Sequence, residues 1–308
     1  MPVLLGVDAG GTSTRALACD EAGAVLGRSQ AGGANLRSSL GEPEANLRAA
    51  IAGCLQGRAP DAVCVGLAGV QARRDEAVAL VERACATAGV TARPMVVTDL
   101  EIAFRSVSSS PRGRLLLAGT GAIAAAFDDW QPVARRDGLG WLLGDTGSGV
   151  WLGRRVLRAV AADLDGAVPT AMTPAVLAHL GVTAGDVGDA GDAGLGGAER
   201  VDPQRLVAAT DGLPPAAWAQ LAPVALAWAG RDEVATALVE GCGRGLLATL
   251  RALPGARADP VVLAGGLLAA GPLRARIESA VRVGGFAAEP VRGATRAAAA
   301  AVGIDLPV

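Results

Sequence analysis

One pattern occurs twice in this chain and constrains its fold more than any other feature. An apolar, strand-like run ends in a turn of glycine and hydroxyl residues, a second such run returns, and an acidic turn follows. The first copy comprises residues 3–8, the turn Ala9-Gly10-Gly11, residues 12–19 and the turn Asp20-Glu21-Ala22-Gly23, after which residues 24–29 return. The second comprises residues 114–118, Gly119-Thr120-Gly121, residues 122–127 and Asp128-Asp129. Alternation of period two, bounded by glycine and acidic turns, is the pattern of β-hairpins. Two copies predict an internal duplication with one Gly/Thr turn in each half.

Between and after these copies the period lengthens to that of helices. Leu47, Ala50, Ile51, Cys54 and Leu55 form one apolar stripe within residues 42–57, and Pro43 suits a first helical turn. Residues 62–68 alternate as a strand, 75–88 form a helix stopped by Gly89, and 94–98 form a short strand that delivers Asp99. Residues 138–149 are a Gly-rich loop leading into a helix over about 151–162. Residues 183–200, rich in Gly, Ala and Asp, have no periodicity and read as a surface loop. Helices are expected over 216–229 and 233–253, a strand over 260–264 ending in Gly265-Gly266, and a closing helix over 295–302.

Composition removes several function classes. A net charge of −2 with no basic block gives no footprint for nucleic acid or an anionic membrane. No apolar run is long enough to span a bilayer. The first residues enter a strand directly, without a signal-peptide pattern, so a cytoplasmic location is expected. Lysine is absent, which excludes a Walker A loop and Schiff-base chemistry. A single histidine, His179, disfavours histidine triads and is expected to be structural or solvent-facing. Cys19, Cys54, Cys64, Cys85 and Cys242 lack metal or redox spacing and read as reduced core residues. Trp218 and Trp228 read as core, and Asp186, Asp189 and Asp192 as solvated charge.

Three glycine turns carry the candidate chemistry. In Gly6-Val7-Asp8-Ala9-Gly10-Gly11-Thr12-Ser13-Thr14, glycines let the backbone approach a phosphate, and N–H groups and hydroxyls can then coordinate its oxygens. Asp8 is placed to hold Mg²⁺ through water. A tight hairpin with an acidic residue is the plainer alternative. Leu117-Ala118-Gly119-Thr120-Gly121-Ala122 reads as a second phosphate hairpin, or as a plain one. Its partial match to a dinucleotide fingerprint lacks the helix that such a loop should open. Residues 261–264 with Gly265-Gly266 suit a nucleoside, and equally a generic strand-to-helix turn.

In this order the three pieces resemble the superfamily of acetate and sugar kinases, heat-shock ATPases and actin. Within it, the chain resembles the N-acetylglucosamine kinases and the related BadF/BadG/BcrA/BcrD-type activator ATPases of 2-hydroxyacyl-CoA dehydratases and benzoyl-CoA reductases. The most specific stretch is Gly138-Leu139-Gly140-Trp141-Leu142-Leu143-Gly144-Asp145-Thr146-Gly147-Ser148-Gly149. The resemblance implies an α/β, actin-like ATPase (ribonuclease H-like) fold with two lobes and a cleft between them. One lobe would comprise residues 1–115 with about 290–308, the other residues 116–289.

It also implies roles. Gly10, Gly11, Thr12 and Ser13, and Gly119, Thr120 and Gly121, would bind ATP, with Thr12 and Thr120 on its phosphates. Gly265, Gly266 and Ala219 would lie near the nucleoside. Asn35 would bind a sugar hydroxyl, and Ala122, Gly138, Leu139, Gly140 and Asp145 would line the sugar site. Asp99 would be the catalytic base; as the first residue after a strand, it also reads as a helix N-cap. Leu139, Thr146 and Ala122 depart from the family's tryptophan, glutamate and serine, which bears on the identity of the sugar more than on the reaction. The resulting expectation is an Mg-ATP-dependent amino-sugar kinase, acting on N-acetylglucosamine at O6, or on glucosamine or another hexosamine, and forming a homodimer. An activator ATPase and a non-catalytic sugar sensor are the alternatives of other classes.

Overall fold

The structure is a computed structural model that describes residues 1–34, 42–70, 73–183, 201–255 and 259–307. Asn35 and the three aspartates at 186, 189 and 192 lie outside the described residues. The chain opens with an antiparallel meander of β1 (Leu4–Ala9), β2 (Ser13–Cys19) and β3 (Val25–Gly32). Asp20 shapes the second turn, its Oδ1 accepting the N–H groups of Ala22 and Ala24 at 2.9 and 2.8 Å. α1 (Pro43–Leu55) buries the five-residue stripe expected of it. β4 (Ala62–Leu67) pairs parallel to β1. Its six residues are all buried rather than alternating, because a central parallel strand is covered on both faces. α2 (Arg74–Thr87), β5 (Met95–Thr98) and α3 (Asp99–Arg105) follow, with β5 parallel to β4.

The second half repeats this plan. β6 (Gly113–Ala118), β7 (Ala122–Asp128) and β8 (Gln131–Asp137) form an antiparallel meander. The turn between β7 and β8 is centred on Asp129 and Trp130, at φ 48° and 63°, one residue later than expected. Then come α4 (Gly149–Leu164), α5 (Thr173–His179), α6 (Pro203–Thr210), α7 (Pro215–Trp218), α8 (Ala222–Trp228) and α9 (Glu233–Arg251). β9 (Val261–Ala264), α10 (Pro272–Glu278), β10 (Val283–Phe286) and α11 (Pro290–Ala301) complete the chain. The helix expected over 216–229 is broken by a 3₁₀ turn at Ala219–Leu221. Pro223 has no N–H for the Ala219 carbonyl, and its ring crowds that oxygen.

The two sheets have one topology, β3-β2-β1-β4-β5 and β8-β7-β6-β9-β10, each a meander extended by two parallel strands. The expected duplication is therefore visible in strand order. α1 and α2 cover one face of the first sheet. α11 covers the other, joining Ala294 and Ala298 to Leu4, Cys64 and Ile102. α4, α8 and α9 pack on one face of the second sheet. Its opposite face receives Leu100, Ala103 and Phe104 of α3, so α3 lies between the sheets. Phe104 stacks on Phe127 at 4.3 Å. Arg105 and Arg296 both reach the face of Trp130, at 4.7 and 6.0 Å. All five cysteines are free and buried, and burial pushes the Cys64 and Cys242 thiols up to about 12. His179 is exposed at the end of α5. Among the described residues no helix is long and apolar enough to cross a membrane.

Candidate active site

The C-terminal edge of the first sheet brings two carboxylates together. Parallel pairing sets Asp8 beside Gly66 and Leu67 beside Thr98, so Asp8 of β1 and Asp99 after β5 emerge at the same edge. Both are half-buried. Burial pushes Asp8 up to about 6, with Arg15 pulling against it. Asp99 also rises to about 6, first through burial and then through the charge of Asp8. The helix cap at this point is not Asp99. Thr98 is the N-cap, and Thr98 and Glu101 form a reciprocal capping box. Thr98 N and Oγ1 donate to Glu101 Oε2 at 2.7 and 2.8 Å. Asp99 is thereby left at the first helical position, where Oδ1 accepts the neighbouring Leu100 N–H at 3.1 Å.

The first glycine turn stands on the same edge. Gly10 N donates to Ser13 O at 3.0 Å, and Gly10 O accepts from Ala34 N at 3.0 Å. Thr14 Oγ1 donates to Gly32 O at 2.8 Å. These bonds bind the segment just before Asn35 to the turn. Thr12 is exposed at its tip, flanked by half-buried Gly11 and Ser13.

The second turn occupies the equivalent place on the second sheet. Gly119 N closes it onto Gly121 O at 2.9 Å. The first amides of α4 then meet its carbonyls: Gly149 N donates to Gly119 O at 2.7 Å and Val150 N to Thr120 O at 3.3 Å. Ser148 caps α4 through Trp151 N at 3.0 Å, so the helix begins two residues earlier than expected. Ala219 lies against Gly149, and Gly265 against Ala118 and Gly119. The nucleotide positions expected in the second half, Gly119, Thr120, Gly121, Ala219, Gly265 and Gly266, therefore surround one turn.

The loop of residues 138–149 folds over the start of β7. Ala122 N donates to Asp145 Oδ1 at 3.3 Å, and Ala122 O accepts Gly138 N at 3.0 Å. Asp145 has φ 55°, and burial raises its carboxyl above the ordinary range. Leu139, Trp141, Leu142 and Leu143 are exposed, and Trp141 meets Trp218 edge-on at 5.7 Å. Trp218, expected in the core, is instead half-buried and packs on this loop, whereas Trp228 packs against the core of the second half. Gly138, Gly140 and Asp145 lie in the loop and Ala122 is bonded to it, whereas the Leu139 side chain points outward, 66% exposed.

Asp137 is a residue that the sequence did not single out. Its two oxygens accept Asp145 N at 2.6 Å and Thr146 N at 2.8 Å, bracing the loop from the end of β8. Only the Asp-Gly step before the loop hinted at a constrained turn. Asp137→Ala removes two charge-assisted bonds. It is expected to lower stability by about 1–3 kcal/mol and to speed amide exchange at Asp145 and Thr146. A urea titration and residue-resolved hydrogen exchange measure both.

Similarity to known proteins agrees with this geometry. The model of the BadF/BadG/BcrA/BcrD ATPase family matches residues 5–289. An N-acetylmuramic acid/N-acetylglucosamine kinase of Clostridium acetobutylicum is 30% identical over 104 residues, 34% of this chain and 33% of that protein. An N-acetyl-D-glucosamine kinase of Dictyostelium discoideum is 29% identical over 202 residues, 59% of this chain and 61% of that one. The matches thus span a third and about three-fifths of those relatives. A solved structure from Chromobacterium violaceum, provisionally named N-acetylglucosamine kinase, superposes with a TM-score of 0.73 at 25% identity, covering 96% of this chain and 98% of the other. The fold is the α/β fold of the actin-like ATPases, and the chain belongs to the BadF/BadG/BcrA/BcrD ATPase family.

Proposed function

We propose that the protein is an ATP-dependent kinase of an amino sugar, N-acetylglucosamine phosphorylated at O6 being the first candidate. The observation that carries this reading is the pair Asp8 and Asp99 at one sheet edge beside a Gly/Thr turn, with a matching turn on the second sheet. A sugar hydroxyl needs a carboxylate to orient it and take its proton, and Asp99, with a pKa of about 6, is ionised at neutral pH yet basic enough to do so. The backbone amides of both turns are the donors available to phosphate oxygens. Asp8, half-buried and acceptor-only when ionised, suits a hydrated Mg²⁺, which would neutralise charge on the transferred group. Asn35, Asp145, Ala122 and the glycines at 138 and 140 are the proposed sugar contacts, and Leu139 a flanking one. Gly265, Gly266 and Ala219 are the proposed nucleoside neighbours.

The named kinases among the relatives support the reading, as does the similarity over nearly the whole chain to the Chromobacterium violaceum structure. We further propose two lobes, residues 1–115 with 290–308 and residues 116–289, which close on substrate and exclude water. The activator reading calls for cysteines that two chains could share, and all five here are buried.

A coupled ADP-release assay across N-acetylglucosamine, glucosamine, N-acetylmuramic acid, N-acetylmannosamine and glucose tests the proposal. Sugar-dependent ADP release is expected, fastest with N-acetylglucosamine. Release that is the same with and without every sugar would overturn the kinase reading, and a different preferred sugar would correct the substrate alone.

A further inference from the structure

Between α9 and α10 lies a cleft of about 370 Å³ lined by Arg244, Leu247, Arg251, Arg276, Ser279 and Ala280. It shares no residue with either glycine turn or with the loop of residues 138–149. Three arginines meet there with little to balance them. Arg244 has an exposed contact with Glu240 at 3.5 Å, one helical turn away, of a kind that contributes little. Among the described residues, Arg251 and Arg276 have no carboxylate partner, and none of the three guanidinium groups donates to a backbone carbonyl.

Arg276 is the most informative of the three. Its side chain crosses α9 at Gly243, where a Cβ would lie 2.5 Å from Arg276 Cδ and 2.9 Å from Nε, so a larger residue there would have to push the arginine aside. That Nε is buried and has no hydrogen-bond partner. A buried donor without an acceptor is unfavourable and points to a group that completes it. Complementing the C-terminal dipole of α9 accounts for Arg251 in its last turn. It does not account for an Arg276 side chain laid across Gly243 of the neighbouring helix.

We propose that this cleft binds the phosphate group of a small phosphorylated molecule or free phosphate. The guanidinium fork matches paired phosphate oxygens, and two or three such forks around one cleft form a charge-assisted cradle. The volume is in the range of small-molecule sites and leaves room beyond the phosphate for a sugar-sized body. The proposal is independent of the kinase reading.

Isothermal titration of the full chain with inorganic phosphate, and separately with glucose 6-phosphate, at constant ionic strength in chloride tests it. Neither ATP nor acceptor sugar is needed. Saturable binding is expected in the wild type, with affinity falling about tenfold or more for Arg251→Met and further in Arg251→Met/Arg276→Met. Much tighter binding of glucose 6-phosphate than of phosphate would identify a sugar phosphate as the ligand, and equal binding would identify phosphate itself. Titrations unchanged in the double variant would place any phosphate at the glycine turns and overturn the proposal, as would no saturable binding in the wild type. Should Arg276→Met fail to fold, Arg244→Met/Arg251→Met decides the matter, because both residues are exposed.

Discussion

Asp99→Asn is expected to lower kcat by about 10²–10⁴-fold and, at neutral pH, to raise stability. The first effect follows from removing the carboxylate proposed to accept the hydroxyl proton. The second follows from the cause of the raised pKa. Burial and the Asp8 carboxylate push Asp99 from 3.8 to about 6 in the folded chain, so folding strains the charged form. The folded state therefore binds a proton more tightly than the unfolded state does. Stability declines as pH rises from about 4 to about 6, and the full penalty, at most about 3 kcal/mol, stands at pH 7. An uncharged asparagine removes it and can still accept the Leu100 N–H. Urea unfolding is thus expected to show a gain of about 1–3 kcal/mol at pH 7 and none near pH 4. In the wild type, kcat/KM should fall with acidification through about pH 6, as the base takes up a proton. Unchanged turnover of every accepted sugar in Asp99→Asn would remove Asp99 from the role of base.

The stability gain separates this variant from ordinary damage. A misfolded or loosened protein loses activity and stability together. The trade also explains why the capping box matters. Thr98 and Glu101 satisfy the helix end by themselves, so Asp99 need not cap α3 and its carboxylate remains available. The Thr-x-x-Glu spacing of that box is written in the sequence, yet an aspartate directly after a strand drew the cap assignment by one residue.

What was legible divides along similar lines. The stripe of α1 was read residue for residue, because one buried face against a sheet imposes a 3.6 period. The two hairpins were read because glycine turns interrupt strict alternation. β8 was not foreseen. It is an edge strand whose exposed positions carry Gln131, Val133, Arg135 and Arg136, so its few apolar residues do not gather on one buried face. α10 and β10 were missed for a related reason: short elements leave too few repeats for a period to show. Beyond the Asp-Gly step, nothing marked Asp137 as a brace, since its two amide partners lie eight and nine residues on, at bonds set by the loop's fold. The candidate site was legible as motifs and illegible as an electrostatic arrangement. No spacing in the sequence states that Asp8 and Asp99 emerge at one edge, which parallel pairing through β4 alone decides.

Gly265 and Gly266 separate scaffold from ligand contact within one dipeptide. Gly265 has φ 87°, and a Cβ there would overlap the Ala118 carbonyl and approach Gly119 N to 2.9 Å. Neither backbone group can yield freely, because Ala118 ends β6, which pairs with β9, and Gly119 closes the second turn. Gly265→Ala therefore adds strain of about 1–3 kcal/mol, because φ 87° with ψ 150° is a region essentially reserved for glycine, to a clash with backbone. The expected loss is about 2–4 kcal/mol in a urea titration, with ATP binding weakened because the second turn is displaced. Gly266 has no positive φ and no atom within 4 Å of its added Cβ. Gly266→Ala should leave stability within about 0.5 kcal/mol of the wild type while raising KM for ATP several-fold, since the open space beside it is where the nucleoside is proposed to lie. A Gly266→Ala variant with unchanged stability and unchanged KM would move the nucleoside away from this strand end, whereas loss in Gly265→Ala alone would still be expected from the backbone clash.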